Sequence, residues 1–156
     1  MYGIISVKDQ ILSYIMEGFI MEKKLKHLEL VQGVISRMAG NSFMLKGWAV
    51  TLAAAIFALS AKDAEKSYFI VAYIPIIVFW LLDSYYLQQE RLYRSLYDKV
   101  RKTDESQIDF SLKAVYNDFP KKTNTFANCA FSKTEIGFYL PLALVCLVIV
   151  LITSAK

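Results

Sequence analysis

Hydrophobic residues in this chain are gathered into three runs separated by polar segments. The longest run, residues 136–155 (IGFYLPLALVCLVIVLITSA), contains no charged residue. Twenty helical residues cover about 30 Å, which is close to the thickness of the hydrocarbon core of a bilayer. Runs near residues 47–61 and 68–87 predict two further spans. The pattern therefore predicts an all-α integral membrane protein with three transmembrane helices.

Residues 21–38 show a different pattern, in which apolar side chains recur at spacings of three and four. This pattern predicts an amphipathic helix, and the residues that form it are Leu25, Leu28, Val31, Ile35 and Met38. The following Ala39-Gly40 and Asn41-Ser42 are typical of a helix end and a new N-cap. We therefore expect the chain to turn a corner at the membrane surface. The first span then begins at Ser42 and reaches twenty residues, with Lys46 extending toward the headgroups.

The first span is rich in alanine, with small residues spaced by four. Two pairs form such stripes, Ala49 with Ala53 and Ala54 with Ala58. Small residues at this spacing let a second helix approach closely in a membrane. The alternative is that alanine only fills lipid-facing positions. We take the stripes as candidate oligomer contacts.

The segment at residues 62–67 is long enough only for a tight hairpin, so the first two spans are predicted to be antiparallel neighbours. Pro75 in the second span removes one backbone hydrogen bond and is expected to kink the helix. A heptad-like pattern then continues to about Lys102 through Leu82, Tyr86, Gln89, Tyr93, Leu96 and Val100. This seam could meet a partner helix or pack on its own neighbour. Residues 103–135 are predicted to form a partly ordered loop.

The chain accordingly divides into four parts. Residues 1–41 form an N-terminal extension and amphipathic cytoplasmic helix, and residues 42–87 form the transmembrane hairpin. Residues 88–135 form a cytoplasmic helix and loop, and residues 136–156 form the third transmembrane helix.

Charge distribution predicts how the chain is threaded. Apolar residues make up 56% of the sequence and the net charge is +4. Six Lys and Arg residues precede the first span through Lys46, nine lie in residues 88–135, two lie in the hairpin and one is Lys156. Since basic residues favour the cytoplasmic side, we expect the N-terminus in the cytoplasm and the C-terminus outside. For a bacterial protein this is the inner membrane.

Enzyme signatures are absent from the sequence. His27 is the only histidine, it is flanked by charged residues, and we expect it to face solvent. Glycine-rich phosphate loops and CxxC pairs do not occur, and Cys129 and Cys146 are expected to stay unpaired. We therefore predict a protein that is not an enzyme and that binds neither a cofactor nor a metal.

Asp83 is the one acidic residue within the predicted spans, where an ionised side chain is costly. A structural ion pair with Lys46 or Arg37 is one interpretation, because the antiparallel hairpin brings them to the same level. A polar pore or gate lining is the other, for which Asp83, Lys46 and Thr51 are the candidates.

A basic run follows the second span directly. It consists of Arg91, Arg94, Lys99, Arg101 and Lys102. Attraction to anionic lipid headgroups is its plainest use. The acidic residues Glu90, Asp98, Asp104 and Glu105 interleave with the run and weaken its field, which makes nucleic acid an unlikely partner. An anionic messenger or a cytoplasmic protein is the alternative partner.

The segments NSFMLKGWAVTL and WLLDSYYLQQERLY resemble those of a group of small bacterial multi-span membrane proteins. The layout of a hairpin with an attached helical part is also similar in general form to the SLATT-type antiphage membrane effectors. That resemblance implies an effector or channel-like protein that disturbs the inner membrane during antiphage defence. A membrane anchor or scaffold that recruits a soluble cytoplasmic partner is the alternative. The alanine stripes and the seam from Leu82 to Val100 offer places for identical subunits to meet, so we predict a homo-oligomer.

Overall fold

The computed structural model describes the backbone of residues 2–60 and 71–154, and the side chains of residues 7–58 and 71–152. Throughout these residues the chain forms helices and connecting turns, with no strand. The all-α prediction is therefore confirmed for the described chain. The predicted hairpin at residues 62–67, the start of the second span at residues 68–70, and residues 61 and 155–156 lie outside it.

The first helix, α1, is a single rod of 59 residues from Tyr2–Ser60. The corner predicted at residues 39–42 is wrong. A glycine in a helix costs only about 1 kcal/mol relative to alanine, so the stop signal there is weak. Val31 and Ile35 before this point and Ala49 and Ala53 after it are all buried on the same face of the rod. Packing on both sides of the stop signal therefore keeps the helix continuous.

The second helix, α2, spans Tyr73–Lys102. The helix end predicted at Lys102 is confirmed, whereas its cytoplasmic location stays a prediction. Val71 is also helical, and the helix is interrupted only at Ala72, which keeps right-handed helical dihedral angles (φ −64°, ψ −22°). Pro75 has no N–H to donate to the carbonyl four residues earlier, which explains the interruption.

Two hydrophobic cores lie along α1 and α2. The first core joins these helices to the loop that follows, through Val31, Ile35, Leu92, Leu96, Val100, Ala114 and Phe119. The second core adds the last helix and consists of Ala49, Ala53, Ile76, Tyr139 and Cys146. The seam residues Leu96 and Val100 are thus buried within the chain. Leu96 and Val100 therefore pack against α1 of the same chain and not against a partner helix, because the uninterrupted α1 runs beside α2.

The connection after α2 is a folded layer on that helix. It has short 3₁₀ turns at Glu105–Gln107, Tyr116–Asp118 and Lys122–Asn124, and a five-residue helix α3 at Phe126–Ala130. Four side chains on α2 bind it. Trp80 Nε1 donates to Ala130 O at 3.0 Å, Gln88 to Asn124 O at 3.0 Å and Arg91 to Thr123 O at 2.6 Å, while Ser95 Oγ accepts from Asn124 Nδ2 at 3.2 Å. This layer fixes where the next helix starts.

The last helix, α4, spans Lys133–Ser154. Its outer apolar side chains are about half exposed, as at Leu144 (51%), Val148 (53%) and Ile152 (60%). By length and composition, two helices of the described chain could cross a membrane, within Val7–Ala58 of α1 and Lys133–Ile152 of α4. Hydrophobic surface of this extent is unusual for a helix in water.

His27 does not face solvent, contrary to the sequence prediction. It is 4% exposed and its ring contacts that of Phe110, with the centroids 5.7 Å apart. The reason is its position one turn before Val31, on the same buried face of α1. Phe110 covers it from the loop with a positive φ of 52°.

Removing a side chain from the first core tests the packing of α1 on α2. We expect Leu96→Ala to lower the free energy of unfolding by about 2–5 kcal/mol, because this leucine is 4% exposed and its loss leaves a cavity. Leu30→Ala is the matched control, since Leu30 of α1 is 51% exposed and lies outside the first core. Chemical unfolding of the detergent-solubilised protein measures both. Equal effects would show that α2 does not pack on this face.

Candidate functional site

A charge cluster lies between the two cores, where α1, α2 and α4 meet. Its members are Lys46 from α1, Asp83 from α2, and Glu135 and Tyr139 from α4. Lys46 follows the buried face of α1, eleven residues after Ile35 and three before Ala49. Asp83 is buried two turns after Ile76, on the face of α2 that contributes to the second core. The helix faces that form the second core therefore also carry the cluster.

Lys46 Nζ is the centre of the cluster. It donates to Asp83 Oδ2, to Glu135 Oε1 at 3.1 Å and to Ser42 Oγ at 3.1 Å. Tyr139 OH donates to the same Asp83 oxygen at 3.0 Å. The ammonium group thus bridges three helices through two carboxylates.

Burial makes these contacts different from surface ion pairs. Asp83 is 0% and Glu135 1% exposed, and the Lys46 side chain is 20% exposed. The ammonium also lies 5.9 Å from the centroid of the Tyr139 ring. In the described part of the chain, Asp83 Oδ1 and Glu135 Oε2 are buried without a hydrogen-bond partner. Two carboxylates are therefore held out of water with half of their acceptor atoms unpaired.

The start of α4 explains how Glu135 reaches the cluster. Ser132 caps the helix, because its Oγ accepts from the backbone N–H of Glu135 at 3.3 Å. In a complete capping box the glutamate would bond back to the serine N–H. That N–H instead donates to Cys129 O at 3.0 Å. The Glu135 carboxylate is consequently free to turn inward to Lys46.

The Asp83–Lys46 pair expected from the sequence is confirmed, and Arg37 is exposed on another side of α1. Thr51 does not join the cluster, because it is exposed and its hydroxyl donates to Gly47 O at 2.9 Å on its own helix. Glu135 is not among the residues predicted for this site, because the predicted third span begins one residue later, at Ile136. Glu135 belongs to the first turn of α4, and its contact with Lys46 joins residues 89 apart.

The sequence contains a motif that places Glu135 in the first turn of a helix. The motif Ser132-x-x-Glu135 before an apolar run is a capping box, which places a helix start three residues before the predicted third span. It puts Glu135 within one turn of the span end. The direction of its side chain could not be read from the motif.

The predicted oligomer contacts divide into two groups. Ala49 and Ala53 are buried inside the chain, 0% and 2% exposed, so this stripe brings the helices of one chain together. Ala54 and Ala58 are exposed. Leu82 is 43% exposed, and Tyr86 and Tyr93 are half-buried. Only the exposed members remain candidates for contact with a second copy.

The basic run on α2 is largely engaged within the chain. Arg91 donates to the loop carbonyl of Thr123. Arg94 pairs with Glu90 at 2.7 Å, and Arg101 with Asp98 at 3.2 Å. Lys99 and Lys102 are exposed. Headgroup binding by this run stays a prediction.

Neither cysteine forms a disulfide, and both are buried. Burial raises the pKa of the Cys129 thiol, the nearby Arg91 opposes that rise, and Glu135 adds to it. Among the described residues, no group of three His, Cys, Asp or Glu side chains has a geometry that could hold a metal ion. Chemically, the charge cluster is a buried set of one ammonium group, two carboxyl groups and one phenol.

The chain matches no protein-family model, no curated protein and no solved structure. The similarity to SLATT-type effectors therefore stays an expectation from the sequence, and the role of the cluster has to be argued from its geometry.

Replacing the central cation tests how much the cluster stabilises the fold. We expect Lys46→Met to lower the free energy of unfolding by about 3–5 kcal/mol, because both carboxylates lose their cation while buried. The control is Lys26→Met, which removes an exposed pair with Glu29 and should leave stability unchanged. Thermal unfolding in detergent measures both variants. A Lys46→Met protein as stable as its parent would contradict the bridging role.

Proposed function

We propose that this protein is an integral protein of the bacterial inner membrane with three transmembrane helices and a cytoplasmic part formed by α1, α2 and the loop. In this proposal it acts as a non-enzymatic homo-oligomer, an effector or channel-like protein that disturbs the membrane during antiphage defence. The observation that carries the membrane assignment is the exposed apolar outer face of α4, with Leu144 51%, Val148 53% and Ile152 60% exposed. Such a surface is stable where hydrocarbon, not water, surrounds it.

The position of the charge cluster supports the three-span threading. Lys46, Asp83 and Glu135 lie at or beside the ends of the three predicted spans, and Lys46 contacts both carboxylates. Spans whose ends meet in this way would share one membrane level. The cluster would then lie near the cytoplasmic headgroups, where the partly exposed Lys46 can reach water.

An oligomer is proposed because the spans of one chain leave much of their surface bare. Ala54 and Ala58 present a small-residue stripe on the outside of α1. Stripes of this kind let helices of neighbouring copies approach closely. Asp83 at the centre of each copy gives the assembly a polar element near the bilayer boundary.

The alternative function is a membrane anchor that recruits a soluble partner. The N-terminal part of α1 favours it, because its apolar side chains are open to solvent. Ile11 is 57%, Leu12 58%, Ile15 60% and Phe19 53% exposed. An amphipathic helix that carries such a face fits a groove on another protein.

Threading is tested by locating the chain ends. We expect a tag at the N-terminus to be protected from protease in intact spheroplasts and a tag after Lys156 to be cleaved, because the basic segments favour the cytoplasm. The protein should also stay in the membrane pellet after alkaline extraction. A protected C-terminal tag, or release by alkali, would contradict the three-span arrangement.

Ion flux separates the two functions. Liposomes containing the purified protein should release entrapped potassium, and Asp83→Asn should change the rate several-fold because it alters the charge beside Lys46. Glu90→Gln is the control, since Glu90 pairs with Arg94 outside the cluster. Absence of flux under all conditions, together with co-purification of a cytosolic protein, would favour the anchor.

A further inference from the structure

The charge cluster is unbalanced when all its acids are ionised. Asp83 and Glu135 would carry two negative charges, and Lys46 supplies one positive charge. Among the described residues no other cation contacts either carboxylate. Both acids are at most 1% exposed, and an uncompensated charge at that depth is costly enough that a group usually changes its protonation state instead. One additional positive charge is therefore required.

The unpartnered oxygens show where that charge fits. Asp83 Oδ1 and Glu135 Oε2 are the cluster atoms that lack a hydrogen-bond donor. Both carboxyl groups contact the same Lys46 Nζ, which places them side by side. A single proton on one of these groups makes it a donor to the other, so it corrects the charge and gives both oxygens a partner.

The contacts also show which acid holds the proton. Asp83 Oδ2 accepts from both Lys46 and Tyr139, and these donors favour its ionised form. Glu135 Oε1 accepts only from Lys46, at 3.1 Å. The carboxylate with fewer donors is the easier one to protonate.

We propose that Asp83 and Glu135 form a proton-binding site in which Glu135 holds one proton and Asp83 stays ionised. The groups that face it are Lys46 from α1, Asp83 from α2, Tyr139 from its own helix and the Cys129 thiol from α3. Lys46 is the member in contact with solvent, so protons reach the pair beside its side chain.

This site refines the proposed function without depending on it. A carboxyl group that binds and releases a proton at the membrane boundary is the usual form of a proton relay or a pH-sensitive gate. The protonation of Asp83 and Glu135 depends only on the contacts within the charge cluster, so the site can exist whether or not the protein conducts ions. A failed flux experiment would leave the proton site standing, and a failed proton experiment would leave membrane insertion and flux untouched.

Infrared spectroscopy of the detergent-solubilised full chain tests the site. At neutral pH we expect one protonated carboxyl C=O band per chain, which shifts when the protein is made with ¹³C-carboxyl glutamate. Glu135→Gln and Asp83→Asn should each remove the band, because one carboxylate is then balanced by Lys46. Lys46→Met should double it, because both acids lose their cation. Glu90→Gln should leave it unchanged.

The infrared experiment can overturn either the proton site itself or its assignment to Glu135. A wild-type chain without the band at neutral pH would overturn the proton site. A band that does not move with labelled glutamate would place the proton on Asp83 and overturn the assignment to Glu135. If Lys46→Met does not fold, the labelled wild type and the two acid variants still give the answer.

Discussion

The bridge from Lys46 to two buried carboxylates is the interaction on which the arrangement of helices depends. At this contact α1, α2 and α4 meet through charged groups. Lys46 lies 37 residues before Asp83 and 89 residues before Glu135 in the sequence. Hydrophobic packing alone would let these helices slide along one another, since apolar contacts are not directional. A charge pair at this depth has few alternatives, because each unpaired carboxylate is costly. The cluster therefore fixes the level at which the three helices meet.

The continuity of α1 lets one helix face serve three environments. The same stripe carries Val31 and Ile35 in the first core, Lys46 in the charge cluster, and Ala49 and Ala53 in the second core. Bulky residues suit the wider space beside α2 and the loop, and small residues suit the close approach of α4.

Many side chains that could have contacted a partner are instead used for packing within the chain, and the apolar surfaces that stay exposed indicate where partners would bind. Leu96, Val100 and the Ala49–Ala53 stripe are buried, and Arg91 holds the loop. Apolar surfaces that stay exposed include the outside of α4, the Ala54–Ala58 stripe and the apolar side chains of α1 before residue 20. These are the places where lipid, a second copy and a soluble protein would act under the proposed functions.

Local pattern was sufficient for the helical class, the apolar α4, the end of α2 at Lys102 and the pairing of Asp83 with Lys46. Each depends on composition, on periodicity or on one antiparallel turn. Tertiary structure decided the uninterrupted course of α1, the burial of His27 and the contact of Glu135 with Lys46. A helix-stop signal near Gly40 amounts to about 1 kcal/mol, and packing on both sides of it outweighs that. Which way the Glu135 carboxylate turns depends on a cation 89 residues away, and no local sequence pattern contains that information.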